Sequence, residues 1–226
     1  MSHLTMACLL HDIRGNVEEV VLLDVIREAD DKDIPKLVEI AELCFPHSVY
    51  WSSGNQRAYR RWEFSIQSEA SEVWIYETTT GIQGFSLNIL NEPAWISVRK
   101  LFDISKFEKL VLLLRNPEKG YFSIRNHFGK RHSISLSESH FFTLAPRLFI
   151  DLFAVTPNSR GKGIAGALLA KNIERAEQLG RKAVAYNVDK NNLAMLGLMK
   201  KHGYSTVAGS RKQVTLARKI TPSDYH

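Results

Sequence analysis

The sequence lacks the features that mark several specialised classes of protein. Its only cysteines, Cys8 and Cys44, give neither a disulfide framework nor the paired spacing of a zinc site. No apolar run approaches the roughly 20 residues that a membrane helix requires, and the apolar stretch near the N-terminus is too short for a secretory signal. These absences predict a protein of the reducing cytoplasm with no membrane partner and no metal.

The sequence also has no Pro-, Gly- or Ser-rich linker, no internal repeat and no low-complexity segment. Its hydrophobic fraction of 44% and charged fraction of 24% are ordinary for a globular protein. We therefore expect a single domain over residues 19–226, preceded by an N-terminal extension over residues 1–18.

Positive charge is concentrated in the later part of the chain. From Arg147 onward there are 14 Lys and Arg against 5 Asp and Glu, whereas residues 1–146 carry 16 against 19. A basic region suits an anionic ligand, either nucleic acid or a phosphorylated small molecule, although it can also be a solvated face. Because the cations are scattered and form no tract, nucleic acid is the less favoured partner.

The C-terminal third has the clearest pattern of strands and helices. Apolar runs predict strands over residues 147–155 and 182–188, and residues 164–180 have the periodicity of a helix that ends at Gly180. A shorter helix follows, with Asn191 or Asn192 as its cap, and residues 212–220 form the last predicted strand. Two strands and one short helix are thus expected after the glycine-rich stretch.

Within that stretch, Gly161, Gly163 and Gly166 have the G-x-G-x-x-G spacing of a dinucleotide-binding turn. In such a turn the strand runs almost directly into the first glycine, but here residues 156–160 intervene. Too few strands and helices follow to complete that fold. A P-loop is also disfavoured, because Lys162 is followed by Gly163 where that motif needs Ser or Thr.

The remaining interpretation is a glycine loop that leads into a helix N-terminus. Free backbone N–H groups and the positive end of the helix dipole hold phosphate at such a position. Arg160 and Lys162 add charge-assisted contacts, and Gly163 and Ala165 leave room for the ligand. The loop therefore predicts a pyrophosphate site whose ligand is not NAD.

The stretch LFAVTPNSRGKGIAGALL resembles the acetyl-coenzyme A loop of the GNAT acetyltransferase superfamily. In the family pattern Gln/Arg-x-x-Gly-x-Gly/Ala, the matching positions are Arg160, Gly163 and Ala165. The resemblance covers residues 148–219 well, and residues 20–45 and 73–90 loosely. Further matches to the family are Val155, Pro157, Asn192, Leu198, Lys201, Gly203 and Tyr204.

The resemblance implies a mixed α/β fold of three layers. Its central sheet is mostly antiparallel, its fourth and fifth strands are a parallel pair, and a helical insertion of about residues 91–141 separates the third and fourth strands. It also implies an N-acetyltransferase with acetyl-CoA as co-substrate and a small-molecule amine as acceptor, an amino sugar being one candidate. A homodimer and a non-catalytic acyl-CoA-binding or regulatory module both stay open.

Family members lay the pantetheine arm of the coenzyme along the fourth strand and its pyrophosphate over the glycine loop. Asn192 is expected to bond the pantetheine arm. The coenzyme-binding residues that the resemblance implies are Phe153, Ala154, Val155, Arg160, Gly161, Lys162, Gly163, Ile164, Ala165 and Asn192.

The general base has three candidates. Asp151 lies in an otherwise apolar strand, where an acid is costly unless it is paired or functional. Strand alternation places it on the same face as Phe153 and Val155. Glu138 and His140, shortly before that strand, are the other two.

The acid that protonates the departing thiolate also has more than one candidate. The family tyrosine that often has this role falls on Met199, which cannot donate a proton. Tyr204 is the nearby tyrosine, with core packing as its competing interpretation, and water can also serve. Cys44, on the apolar face of a predicted helix, is interpreted as packing.

Overall fold

The computed structural model describes residues 24–46, 48, 51, 56–99 and 146–221. Short 3-10 turns at Asp31–Asp33 and Pro157–Ser159 precede the first and fourth helices. The helices and strands, in chain order, are β1 (Val25–Glu28), α1 (Ile34–Cys44), α2 (Gln56–Gln67), β2 (Ser71–Thr78), β3 (Gly81–Ile89), α3 (Glu92–Arg99), β4 (Arg147–Val155), α4 (Ile164–Gln178), β5 (Ala183–Asp189), α5 (Leu193–Lys201), β6 (Ser205–Gly209) and β7 (Gln213–Lys219).

The strands form one seven-stranded sheet in the order β1-β2-β3-β4-β5-β7-β6. Every neighbouring pair is antiparallel except β4 and β5, which are parallel. This arrangement confirms the predicted fold class. The predicted insertion begins with α3, and most of it lies outside the described residues.

Helices cover both faces of the sheet. On one face, α1 and α2 pack over β2 and β3, and their shared apolar residues, which include Leu37, Trp62 and Phe85, form the first core. On the other face, α4 and α5 pack over β4, β5 and β7, and residues such as Leu168 and Met199 belong to the second core. The protein is thus built of three layers, as the resemblance implied.

A short polar turn leads from β1 into α1. Asp30 makes a capping box with Asp33 at the 3-10 turn, and Asp33, the N-cap residue of α1, makes no side-chain capping hydrogen bond to that helix. The buried Asp33 carboxylate accepts two hydrogen bonds from Arg27, at 2.7 and 2.9 Å. It also accepts the Asp30 N–H at 2.9 Å, so it joins β1 to the start of the helix.

The strand β6, Ser205–Gly209, was not predicted, so the expectation of only two strands after the loop was wrong. Apolar and polar residues do not alternate regularly along β6, and most of its residues are exposed or half-buried. The reason is that β6 lies at the edge of the sheet and pairs only with β7. Such a strand is stabilised by its hairpin partner more than by burial, and its own sequence therefore gives a weak signal.

A closed polar triangle lies inside the apolar interior and joins β3 to α4. Ser86 donates to Asn88, Asn88 donates to Asn172, and Asn172 donates back to Ser86, at 2.8–2.9 Å. All three side chains are fully buried. Because each polar group finds a partner, the triangle fixes the helix to the strand without leaving an unsatisfied group.

Candidate active site

The site lies where the two parallel strands separate. β4 pairs with β5 from Arg147 to Ile150, and the last pair joins Ile150 to Tyr186. Beyond it, β4 continues to Val155 beside β3, while β5 continues to Asp189 beside β7. The β5-facing backbone of β4 over residues 151–155 therefore borders a cleft that an extended ligand can enter as an added strand.

A β-bulge on β4 marks the start of this cleft. Asn88 pairs with Ile150 and Leu87 pairs with Leu152, so Asp151 is the extra residue. Ile150 and Phe153 both pack in the second core, although three residues apart they would point to opposite faces in a regular strand. The bulge thus reverses the faces of the sheet on which side chains lie in the outer half of β4, the part after Asp151.

The glycine loop follows β4 and enters α4 directly. Gly161 and Gly163 have φ values of +79° and +85°, which favour glycine because other residues are strained there. A Cβ at either position would meet no atom within 4 Å. Both glycines are exposed, and no side chain caps the helix at Gly163. The first N–H groups of α4 are therefore available to an anion.

Gln83, which the sequence analysis did not single out, anchors the loop to β3. Its side-chain oxygen accepts the hydroxyls of Thr156 at 3.1 Å and Ser159 at 2.8 Å. Its backbone carbonyl accepts the Thr156 N–H at 2.8 Å. Since Thr156 and Ser159 are buried, these bonds hold the loop in one position ahead of the helix.

Gly84 allows the start of α4 to approach the sheet closely. A Cβ at this position would lie 2.8 Å from the Ala154 carbonyl oxygen and 3.3 Å from Ile164 Cγ2. A larger residue would therefore displace either β4 or the first turn of α4. Gly166, the third glycine of the apparent dinucleotide motif, instead packs against His202, whose Nε2 would be 3.3 Å from an added Cβ.

Comparisons with known proteins agree with this geometry. The family described as Acetyltransferase (GNAT) family matches residues 120–204, which include the cleft strand, the loop and α4. Residues 120–204 of this chain match the GNAT acetyltransferase domain. The chain is therefore an acyltransferase, as the resemblance implied. Comparison with curated protein sequences gave no match.

Solved structures with the same fold support the GNAT architecture. The ribosomal-protein-S18-alanine N-acetyltransferase of Escherichia coli is 12% identical, with a TM-score of 0.54 over 90% of this chain and 99% of its own. An N-acetyltransferase of Staphylococcus aureus Mu50 is 16% identical, with a TM-score of 0.54 over 88% and 99%. The structure of yncA from Salmonella typhimurium with its cofactor acetyl-CoA is 14% identical, with a TM-score of 0.55 over 90% and 97%.

The residues of this site fit acetyl-CoA, the coenzyme that the GNAT family uses. Two open glycines and an uncapped helix suit a pyrophosphate, and the exposed side chains of Arg160 and Lys162 can add positive charge. Arg160 Nε donates to the Val155 carbonyl at 3.4 Å, and Cys44 Sγ lies 3.5 Å from the same oxygen. Cys44 is thus at the edge of the site, and burial raises the pKa of its thiol while Arg160 opposes the change.

Asn192 is the N-cap of α5. Its side-chain oxygen accepts the Met195 N–H at 3.1 Å, so the carbonyl side of the amide is used for capping. The amide NH₂ of Asn192 remains as the group that could contact a ligand, and the predicted bond to pantetheine stays a prediction.

The two positions considered for the general acid, Met199 and Tyr204, both lie in the second core. Met199, at the family tyrosine position, is fully buried in the second core. Tyr204 is also in this core, and within the described residues its hydroxyl has no hydrogen-bond partner. It lies two residues before Thr206, which is level with Leu216 and Tyr186 across the sheet. Tyr204 is therefore on the closed side of the point where β4 and β5 part.

Tyr186 is a residue that the sequence analysis missed. It belongs to the last pair of β4 and β5, and its ring centroid is 6.4 Å from that of Phe153 across the cleft. Burial raises the pKa of the phenol, and the negative charge of Asp151 raises it further. The available signal was a single tyrosine on the apolar face of the strand KAVAYNV.

The other catalytic candidates, Glu138 and His140, lie outside the described residues. An open groove of about 690 Å³ is lined by residues such as Lys201, Ser205 and Lys219. It lies at the end of the sheet where β5 begins, away from the cleft. Within the described ranges, no helix has the length and apolar character needed to cross a membrane, and no three metal-binding side chains cluster.

Proposed function

We propose that this protein transfers an acetyl group from acetyl-CoA to the amine of a small molecule, with an amino sugar as one acceptor to test. The observation that carries the proposal is the separation of β4 from β5 directly ahead of an uncapped helix entered through two open glycines. Phosphate recognition and an exposed strand edge are thereby combined in one cleft. This combination suits a long anionic coenzyme with an extended arm.

Each part of the cleft has a role in the proposal. The pyrophosphate lies over Arg160, Gly161, Lys162, Gly163, Ile164 and Ala165, and the pantetheine arm lies along Phe153, Ala154 and Val155. Backbone N–H groups of the outer half of β4 polarise the thioester carbonyl. Acetyl-CoA supplies the activated acyl group, and the chain holds it and positions the attacking amine.

Asp151 is the proposed general base. Asp151 is the bulge residue of β4 and directly follows Ile150 of the last β4–β5 pair, and its charge acts on Tyr186, which packs against the second core. A carboxylate at this position can accept the proton that an attacking ammonium must lose. Glu138 and His140 remain proposals for the same role.

The proposal is tested by binding and by turnover. Calorimetry should detect coenzyme A binding, and release of free thiol from acetyl-CoA should depend on an added amine. The amine panel should include nucleotide amino sugars, simple amines and, because one similar structure acts on the alanine of a ribosomal protein, a peptide that begins with alanine. Absence of coenzyme A binding would contradict the proposal.

A second candidate function is a non-catalytic acyl-CoA-binding or regulatory module. It is favoured by one observation, the buried Met199 at the position of the family tyrosine. Tight coenzyme binding without product across the whole amine panel would support this second function over the first.

A further inference from the structure

The loss of the family tyrosine leaves a chemical requirement. When the amine nitrogen bonds to the thioester carbon, the carbon–sulfur bond breaks and its electron pair goes to sulfur. The sulfur becomes a neutral thiol only if a proton reaches it. Met199 has no proton to give and is fully buried, so another group or water must supply it.

Tyr186 is in position for this role. It faces the same core as Met199, and it lies at the last β4–β5 pair, where the cleft begins. Among the described residues, no group forms a hydrogen bond with its hydroxyl. Phe153, on the strand proposed to hold the coenzyme arm, is its aromatic neighbour across the cleft.

We propose that Tyr186 is the general acid that protonates the departing coenzyme A sulfur. The inference rests on the proposed acetyl transfer. The amine proton goes to Asp151, which releases it to water, and the phenol proton goes to sulfur. Water returns a proton to the phenolate, so that amine and thioester become amide and thiol with both side chains restored. Burial and the charge of Asp151 raise the pKa of the Tyr186 phenol, so the hydroxyl carries its proton before the reaction. The same shift makes the phenol a weaker acid, so the proton moves only as negative charge develops on the departing sulfur beside it.

The position of Tyr204 makes it a useful comparison. Both phenols lie in the second core, and burial raises the pKa of each. Only Tyr186 lies at the point where the strands part, whereas Tyr204 lies on the closed side. A Phe substitution at each removes one hydroxyl and keeps the ring, so the two variants differ chiefly in location.

The first experiment compares Tyr186→Phe with Tyr204→Phe in acetyl transfer. For Tyr186→Phe we expect kcat to fall by about 100-fold or more, the usual contribution of a general acid. The KM for acetyl-CoA should change far less than kcat, because most of the effect of the hydroxyl is on bond breaking. For Tyr204→Phe we expect kcat close to that of the wild type. Unchanged kcat in Tyr186→Phe, or a large loss only in Tyr204→Phe, would overturn the inference.

The second experiment needs no turnover. Calorimetry with coenzyme A and with desulfo-coenzyme A measures what the sulfur contributes to binding. We expect the wild type to prefer coenzyme A, and Tyr186→Phe to lose that preference because the phenol no longer contacts the sulfur. An equal preference in both proteins would overturn the proposed contact.

The two experiments separate the possible failures. If the wild type binds coenzyme A but acetylates nothing, the proposed function fails, while the binding comparison still tests the contact. If circular dichroism shows that Tyr186→Phe does not fold, the tyrosine absorbance of the wild-type protein is measured instead of the variant's binding. Coenzyme A should then perturb the phenol spectrum more than desulfo-coenzyme A does, and equal spectra would overturn the inference.

Discussion

Asn88 on β3 and Asn172 on α4 are joined by a hydrogen bond of 2.8 Å between Asn88 Nδ2 and Asn172 Oδ1. The two residues are 84 positions apart in the chain, and both are fully buried. The bond fixes α4 relative to the strand that also carries Gln83 and Gly84. The N-terminus of α4, where we propose that the pyrophosphate binds, is therefore positioned from β3.

Removing either asparagine should destabilise the protein. In Asn172→Ala, Asn88 and Ser86 each lose a partner while they remain buried, and we expect the free energy of unfolding to fall by about 2–4 kcal/mol. Urea denaturation measures this loss. In Asn88→Ala/Asn172→Ala we expect less than the sum of the single losses, by about 1 kcal/mol or more. Strict additivity would contradict a shared network.

Gly163 should matter for coenzyme binding more than for folding. Gly163→Glu places a carboxylate at the phosphate site, and coenzyme A affinity measured by calorimetry should fall by at least about tenfold, or 1.4 kcal/mol. The backbone strain at its positive φ costs only about 1–2 kcal/mol. Gly180, at the other end of α4, also has positive φ and open space around it, so Gly180→Glu is the matched control. Equal affinities in the two variants would place the phosphate site elsewhere.

Gln83 should control the binding of acetyl-CoA through the loop. Gln83→Leu removes the oxygen that accepts the hydroxyls of Thr156 and Ser159, and the buried Ser159 hydroxyl then costs about 1–3 kcal/mol. We expect a KM for acetyl-CoA roughly 5- to 30-fold higher, with kcat little changed. Gln83→Glu keeps an acceptor oxygen and should retain most of the affinity. The idea fails if both variants bind coenzyme A equally.

Asp33 should make the folded state sensitive to acid. Burial raises the pKa of its carboxyl, but hydrogen bonds from Arg27 and the Asp30 N–H outweigh burial and lower the pKa. A carboxyl whose pKa is lower in the folded protein than in the unfolded chain stabilises the folded state at pH values above the unfolded pKa of about 3.9. This stabilisation is lost as the pH falls through the pKa of the folded protein.

Asp33→Asn should therefore lower the free energy of unfolding by about 1–3 kcal/mol near neutral pH. The difference from the wild type should narrow below about pH 4. Glu39→Gln, which breaks the exposed Lys36–Glu39 pair, is the control and should cost less than about 0.5 kcal/mol. Urea denaturation across the acid range distinguishes them, and a difference that is constant with pH would count against the assigned ion pair.

Local sequence signals predicted most of the C-terminal half. The predicted strand over residues 147–155 coincides with β4, and the predicted helix over residues 164–180 contains α4. Gly180 and Gly203 have the positive φ expected of helix-ending glycines. These elements were predictable because apolar periodicity and glycine positions act within a few residues of each other.

Features that depend on pairing between distant strands were not predictable. The bulge at Asp151 exists only relative to the register of β3, and the cleft exists only because β4 and β5 stop pairing after Tyr186. The buried position of Asn172 was also missed, since a polar residue on a helix is usually exposed. Its partners on β3 supply the hydrogen bonds that make burial favourable.

The sequence by itself determined the glycine loop, the helix that follows it and the positive charge beside both, because each of these depends only on residues that are close together in the chain. Tertiary structure decided what the loop faces and which side chains surround it. It placed Gln83 behind the loop, buried Met199, and brought Tyr186 to the opening between two strands. The physical reason is that burial, register and distance are set by contacts between segments far apart in the chain.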